Sequence, residues 1–208
     1  MKQNFARILE LIALFFLLPS LFYFEFIPGP KAIPLLVVFV AALIYLLRSK
    51  SFSRKEFGLN GYNEWGKLAI RLLITGVILL GLTLLFTPNR LFVLPKTNPR
   101  LWVMIMVFYP IWSAFTQELI YRPFFFFRYK PLFKSKTLLA VTNGLLFGFL
   151  HIIFKNWIAV IGSSIIGIVW ALTYTKHRSL LVVAIEHSVV GDMLYTLGLG
   201  YFFYVPDF

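Results

Sequence analysis

Long apolar runs, broken by short polar and turn-forming stretches, recur from one end of the chain to the other. They cover Ile8 to Phe26, Ile33 to Leu47, Leu68 to Phe86, a stretch opening near Leu101 and ending at Tyr129, Thr137 to Phe154, Trp157 to Tyr174 and Leu180 to Leu197. Most approach the roughly 20 residues that a helix needs to cross a bilayer. Lipid offers backbone amides no water, so runs of this length predict helices whose backbone bonds close within each segment. The pattern predicts an all-α, polytopic transmembrane helical bundle of about seven spans. No domain boundary, solenoid repeat or low-complexity linker interrupts it, so residues 1–208 are expected to form a single integral membrane domain.

Details of the runs refine this outline. Lys2 and Arg7 ahead of the first run suggest a signal peptide, but the run is too long and lacks a small-residue cleavage site, so an uncleaved span kinked at Pro19 is expected. Pro28-Gly29-Pro30 forces a turn, and the basic segment from Arg48 to Lys67, with Asn60-Gly61 inside it, reads as a loop. Ala159, Ser163, Gly167 and Ala171 recur at every fourth position of the sixth span, and Gly144 and Gly148 do so in the fifth. Such strips let helices approach closely.

Composition agrees with the pattern. The chain is 60% apolar and 19% aromatic, with a mean hydropathy of +0.83, well beyond a soluble domain. The net charge of +12 does not point to nucleic acid, because the cations cluster between apolar runs, where they anchor loops to anionic lipid. Thirteen Lys and Arg lie at the N-terminus and in the loops after spans two, four and six, against five in the remaining loops and the C-terminal tail. That bias predicts a cytoplasmic N-terminus and an outside C-terminus, in the plasma membrane. With no cysteine, disulfides and thiolate chemistry are excluded.

Against this apolar background a few ionisable residues stand out. Glu118 and Arg122 fall one helical turn apart inside the fourth span and can pair on one face. Two of three histidines, His151 and His187, also lie within spans, while His177 sits between Lys176 and Arg178 in a loop. Asn143, Asn156, Glu186 and Asp192 add polar groups near the membrane histidines. A carboxylate and two imidazoles meeting in a wet cavity suffice to activate water: the carboxylate takes a proton, and imidazole positions the water or stabilises an oxyanion. Taken singly, each residue has a plainer role, as a helix-locking ion pair or an interhelical hydrogen bond worth about 0.6 kcal/mol. Their concentration on neighbouring spans favours a site.

Three segments carry a resemblance. Gln117-Glu118-Leu119-Ile120-Tyr121-Arg122, Phe147-Gly148-Phe149-Leu150-His151 and His187-Ser188-Val189-Val190-Gly191-Asp192 resemble, in order, the Glu-Glu-x-x-x-Arg, Phe-x-x-x-His and His-x-x-x-Asn motifs of the CAAX-processing and bacteriocin-processing intramembrane protease family (CPBP, or Abi). The resemblance spans about residues 101–204. It implies an intramembrane endopeptidase acting on a membrane protein or peptide, with His151 and His187 as its two imidazoles; joined to the carboxylate reading above, the expected catalytic residues are Glu118, His151 and His187. Phe147 would pack beside His151, and Arg122 would pair with Glu118.

Two positions depart from the family pattern. Gln117 occupies the place of the first glutamate, the family's water-activating base, and Gly191 stands where the family has Asn, with Asp192 one residue later. A sister group with Gln-Glu in the first motif and Gly-Asp or Gly-Asn in the third is more similar still. On an ideal helix Asp192 lies about 140° from His187, so it replaces the Asn only if the helix is distorted near Gly191. Glu118, Glu186 and Asp192 all remain available as the carboxylate.

Two histidines and a carboxylate can bind zinc, but a His-Glu-x-x-His motif is missing, and the expectation is a reaction without metal or other cofactor. The main alternative is a catalytically inactive pseudoprotease that binds membrane partners or confers immunity, made credible by Gln117. A proton-coupled transporter is weaker, since no matching pair of broken helices marks two halves.

Overall fold

The computed structural model describes residues 2–30 and 32–203. Tyr204, where the family-like tail was expected to end, lies outside the described residues, as do the C-terminal end and Lys31, one of the five cations on the less basic side. Helices α1 (Lys2–Tyr23), α2 (Ala32–Arg48), α3 (Trp65–Phe86), α4 (Pro99–Leu132), α5 (Lys136–Phe154), α6 (Trp157–His177) and α7 (Leu180–Leu197) make up the bundle. All but α2 are long and apolar enough to cross a membrane, and α2 is a shorter apolar helix. No strand occurs among the described residues. The protein is an all-helical membrane bundle.

Pro19 does not stop α1. The turn before it, Ala13–Leu17, is π-helical, and the helix continues through Pro19 to Tyr23. A wider turn is how a helix absorbs a residue that has no N–H to donate.

The loops sort to two ends. After α2, Glu56 meets the end of α6, accepting from Tyr174 Oη at 2.6 Å and pairing with Arg178 Nη2 at 2.9 Å. Asn60 Nδ2 donates to the His177 carbonyl at 3.1 Å, and Ser179 Oγ to the Gly58 carbonyl at 2.8 Å. Arg128, near the end of α4, reaches Glu10 in α1 at 2.6 Å. At the opposite end Lys155 pairs with Glu25, and Asn156 Nδ2 donates to the Phe202 carbonyl at 2.7 Å. The loops after α2, α4 and α6 therefore share the more basic end.

Glu64, just ahead of α3, ties that end together. Hydrogen bonds from Lys176 and Lys67 hold its carboxyl well below the ordinary range, at about 2. His177 Nε2 lies 3.2 Å from its other oxygen.

The tightest helix pair is α5 with α6. Gly144 sits against Ile168, Gly148 against Ser164, and Gly167 against Phe147 and the Gly144 carbonyl. A Cβ at any of these glycines would collide with its neighbour. Ala159 and Ala171 are fully buried, so the small-residue strips read from sequence mark a real close approach. This contact fixes where Phe147 and Trp170 stand.

Candidate active site

The site is built on α4, which is not a uniform helix. Pro110 and Pro123 cannot donate to the carbonyls of Met106 and Leu119, and each falls in a π-helical turn, Pro110–Phe115 and Ile120–Phe124. Between them the four residues Thr116–Leu119 remain α-helical and carry Glu118. Such widened turns commonly mark functional sites, because they re-aim the side chains beside them.

Glu118 and Arg122 are both completely buried. Arg122 Nε lies 2.8 Å from Glu118 Oε2, an ion-pair contact whose angle is poor for a hydrogen bond, and Arg122 Nη2 reaches Oε1 at 3.5 Å. Arg122 also donates through Nη1 to Asn143 Oδ1 on α5. Asn143 passes the connection back to α4 by donating through Nδ2 to the Tyr121 carbonyl at 2.7 Å. The guanidinium stands over the Phe147 ring, 5.3 Å from its centroid. A buried cation is thus matched by a carboxylate, an amide oxygen and an aromatic face.

The second oxygen of the carboxylate is turned to α7. His187 Nδ1 lies 3.0 Å from Glu118 Oε1. The imidazole is sandwiched by aromatics: Trp170 stacks on it with centroids 4.4 Å apart, and Phe147 meets it edge-on at 5.5 Å. Phe147 has His151 on its other flank at 5.0 Å. His151 stands where α5 tightens into a final 3-10 turn, and its Nδ1 is 2.8 Å from the Phe147 carbonyl. A carbonyl only accepts, so Nδ1 carries the proton and Nε2 keeps its lone pair.

A cavity of about 470 Å³ opens beside these residues, bounded by α3, α4, α5, α6 and α7 and by Phe203 near the end of the described chain. His151, His187, Phe147, Trp170, Tyr109 and Gln117 line it. Glu118 does not; it stands behind the His187 imidazole. Gln117 faces the cavity in its place, donating through Nε2 to Ser113 Oγ at 2.9 Å, while its Oε1 is buried without a partner.

The other two carboxylates are placed elsewhere. Glu186 is held by Arg71 of α3 in a two-pronged pair, Nε to Oε1 at 2.9 Å and Nη2 to Oε2 at 2.7 Å. Helix α7 stays regular through Gly191, so Gly191 lines the cavity while Asp192 turns to a groove between α3 and α7 beside Gly76 and Met193. Asp192 Oδ1 has no partner there. Among the described residues no group of three or more His, Asp or Glu side chains is arranged to hold a metal ion.

Sequence reasoning missed Arg71, Tyr109, Ser113 and Trp170. Arg71 gave a usable signal, because a lone cation inside a span must find a partner. Tyr109, Ser113 and Trp170 gave none, since aromatics and small hydroxyls are ordinary in membrane helices.

Residues 99–191 match the family model described as Rce1-like, type II CAAX prenyl endopeptidase Rce1-like. No curated protein and no solved structure matches the chain. The matched range starts with α4 and ends at Gly191, one residue short of Asp192 and well short of residue 204, where the resemblance was expected to end. The stretch similar to this type II CAAX prenyl endopeptidase Rce1-like family thus carries Glu118 and Arg122 on α4, Phe147 and His151 on α5 and His187 on α7.

Proposed function

We propose that the protein is an intramembrane endopeptidase in which His187, backed by Glu118, activates a water held by His151. The observation that carries this reading is the Glu118 to His187 bond at the wall of a cavity that His151 also lines. With Nδ1–H bonded to the carboxylate, His187 keeps its Nε2 lone pair free to take a proton from water. The carboxylate then faces the imidazolium that forms, in a site where burial makes such a charge expensive without it. His151 accepts the second water hydrogen through Nε2 and so orients the attacking oxygen. As the oxygen adds to the peptide carbonyl, negative charge collects on the carbonyl oxygen, and the Gln117 amide on the cavity wall can donate to it. The proton on His187 passes to the departing amine, which completes hydrolysis without a metal or other cofactor. The substrate is a membrane-embedded or membrane-associated protein or peptide.

Gln117 also supports a second reading. It lines the cavity at the motif position where the family places its base, and an amide does not take a proton at working pH. In that reading the chain is a pseudoprotease that binds a membrane partner. Proteoliposomes holding the wild-type chain, incubated with a panel of membrane peptides with and without a chelator, separate the two. Cleavage that His187→Ala abolishes and the chelator leaves intact supports the enzyme. A folded wild-type chain that cleaves nothing in the panel supports the pseudoprotease.

A further inference from the structure

The basic end of the bundle contains a second cavity, of about 730 Å³, with neither His151 nor His187 in its lining. Three segments converge on it: the turn between α4 and α5, the loop after α2, and the last turn of α6. Lys130, Lys134, Lys136, Lys176 and Arg178 line it, with Glu56 as its single acid. Glu56 is already paired with Arg178 and accepts from Tyr174, and Lys176 is tied to Glu64 at 2.7 Å. Lys130, Lys134 and Lys136 are different. None of the three meets a carboxylate among the described residues, although Lys67, Arg71, Arg128, Lys155, Lys176 and Arg178 each do.

An unpaired lysine run is ordinarily a solvated face. This one edges a concavity walled by Phe126, Phe127 and Phe133, with the hydroxyls of Ser51 and Ser135 in its lining. Ser135 caps α5, accepting from the Leu138 N–H at 3.0 Å, so the helix also presents its N-terminal end here. Cations, hydroxyl donors and a helix N-terminus together suit an oxyanion of the phosphate kind. The aromatic wall and the position at the end of the apolar part of α4 suit acyl chains beside it.

We propose that this cavity binds the phosphodiester of an anionic phospholipid, seated on Lys130, Lys134 and Lys136 at the basic headgroup layer. The shared chemistry is a phosphate oxyanion, and the lipid source follows from the aromatic wall at membrane depth. Such a site would fix the α4–α5 turn, and with it the height of α4, against the membrane surface.

The test is native mass spectrometry of the intact chain in detergent, titrated with phosphatidylglycerol, with phosphatidylcholine and with inorganic phosphate. The wild type should retain phosphatidylglycerol over phosphatidylcholine. Since each lysine near an anionic surface is worth about fivefold in binding, the K130Q/K134Q/K136Q variant should lose on the order of a hundredfold. A K2Q/K50Q/K55Q variant, which removes the same charge from exposed positions on the same end, should lose far less. Equal losses in the two triple variants would overturn the proposal, as would equal retention of phosphatidylcholine. Displacement of bound phosphatidylglycerol by millimolar phosphate would assign the site to a soluble anion and overturn the lipid. Both variants change exposed side chains only, and matching thermal stability in phosphatidylcholine checks that they fold.

Discussion

His187 Nδ1 and Glu118 Oε1 lie 3.0 Å apart, joining α7 to α4 and placing an imidazole between the carboxylate and the cavity. If the two act as one unit, their removal is not additive. Glu118→Gln and His187→Ala should each slow cleavage by about 10²–10⁴-fold, and the double variant should be no slower than the worse single one. Single-turnover cleavage in proteoliposomes gives the three rates. Losses that multiply would mean that the residues act separately, and an unimpaired Glu118→Gln enzyme would leave the carboxylate no part in the reaction.

The close approach of α5 and α6 makes a sharper test of packing than any charged pair. Gly144→Ala would press a methyl into the Ile168 backbone and should destabilise the protein by about 1–3 kcal/mol. Gly81→Ala on α3 meets nothing within 4 Å and should be close to neutral. Thermal unfolding in one detergent compares them, and equal stability would mean that the α5–α6 contact does not limit the fold.

Glu64 predicts a pH dependence with a definite sign. Its folded carboxyl titrates at about 2 against an ordinary 4.5, with Lys176, Lys67 and His177 around it. A depressed pKa contributes stability that is fully present above 4.5 and is lost as the pH falls toward 2. Glu64→Gln should therefore unfold slightly earlier than wild type at neutral pH, and the gap should close below pH 4.5. The gap will be small, because exposed ion pairs contribute little. A gap that widens on acidification would contradict the assignment.

Topology is tested by reporter fusions at Lys2 and after Asp207. The loop charges predict that the first lies in the cytoplasm and the second outside. Both reporters on one side would mean that an even number of helices crosses the membrane, with α2, only 17 residues long, the first suspect.

Much of this was legible in the chain itself. Charges and imidazoles are so costly in lipid that Glu118, Arg122, His151 and His187 stand out against their apolar spans, and glycines at every fourth position announce a helix contact. Partnership across helices was less legible. Sequence spacing pairs Glu118 with Arg122, but only the bundle decides that α3 lies beside α7, so Arg71 and Glu186 could not be matched in advance. The same holds for Trp170, whose stacking on His187 depends on how α6 crosses the bundle. The orientation of Gln117 and Glu118 is set by two widened turns, which a regular 3.6-residue helix does not anticipate. Asp192 shows the converse, since its position follows from α7 staying regular.

The last prediction separates catalysis from bracing at one residue. Glu118 contacts both Arg122 and His187, so its loss has two consequences. Glutamine keeps the shape but removes the charge, leaving Arg122 buried with only the Asn143 oxygen and the Phe147 ring against it. Breaking a buried pair in this way costs about 3–5 kcal/mol, so Glu118→Gln should be markedly less stable in detergent. Adding Arg122→Met removes the stranded cation and fills its volume, which should return much of that stability. Cleavage should not return with it, because His187 still lacks a carboxylate on Nδ1. Thermal stability and cleavage rate for the single and double variants are therefore expected to part company. If stability and activity recover together in the double variant, Glu118 is a brace for Arg122, and His187 takes its proton from water without needing a carboxylate on Nδ1.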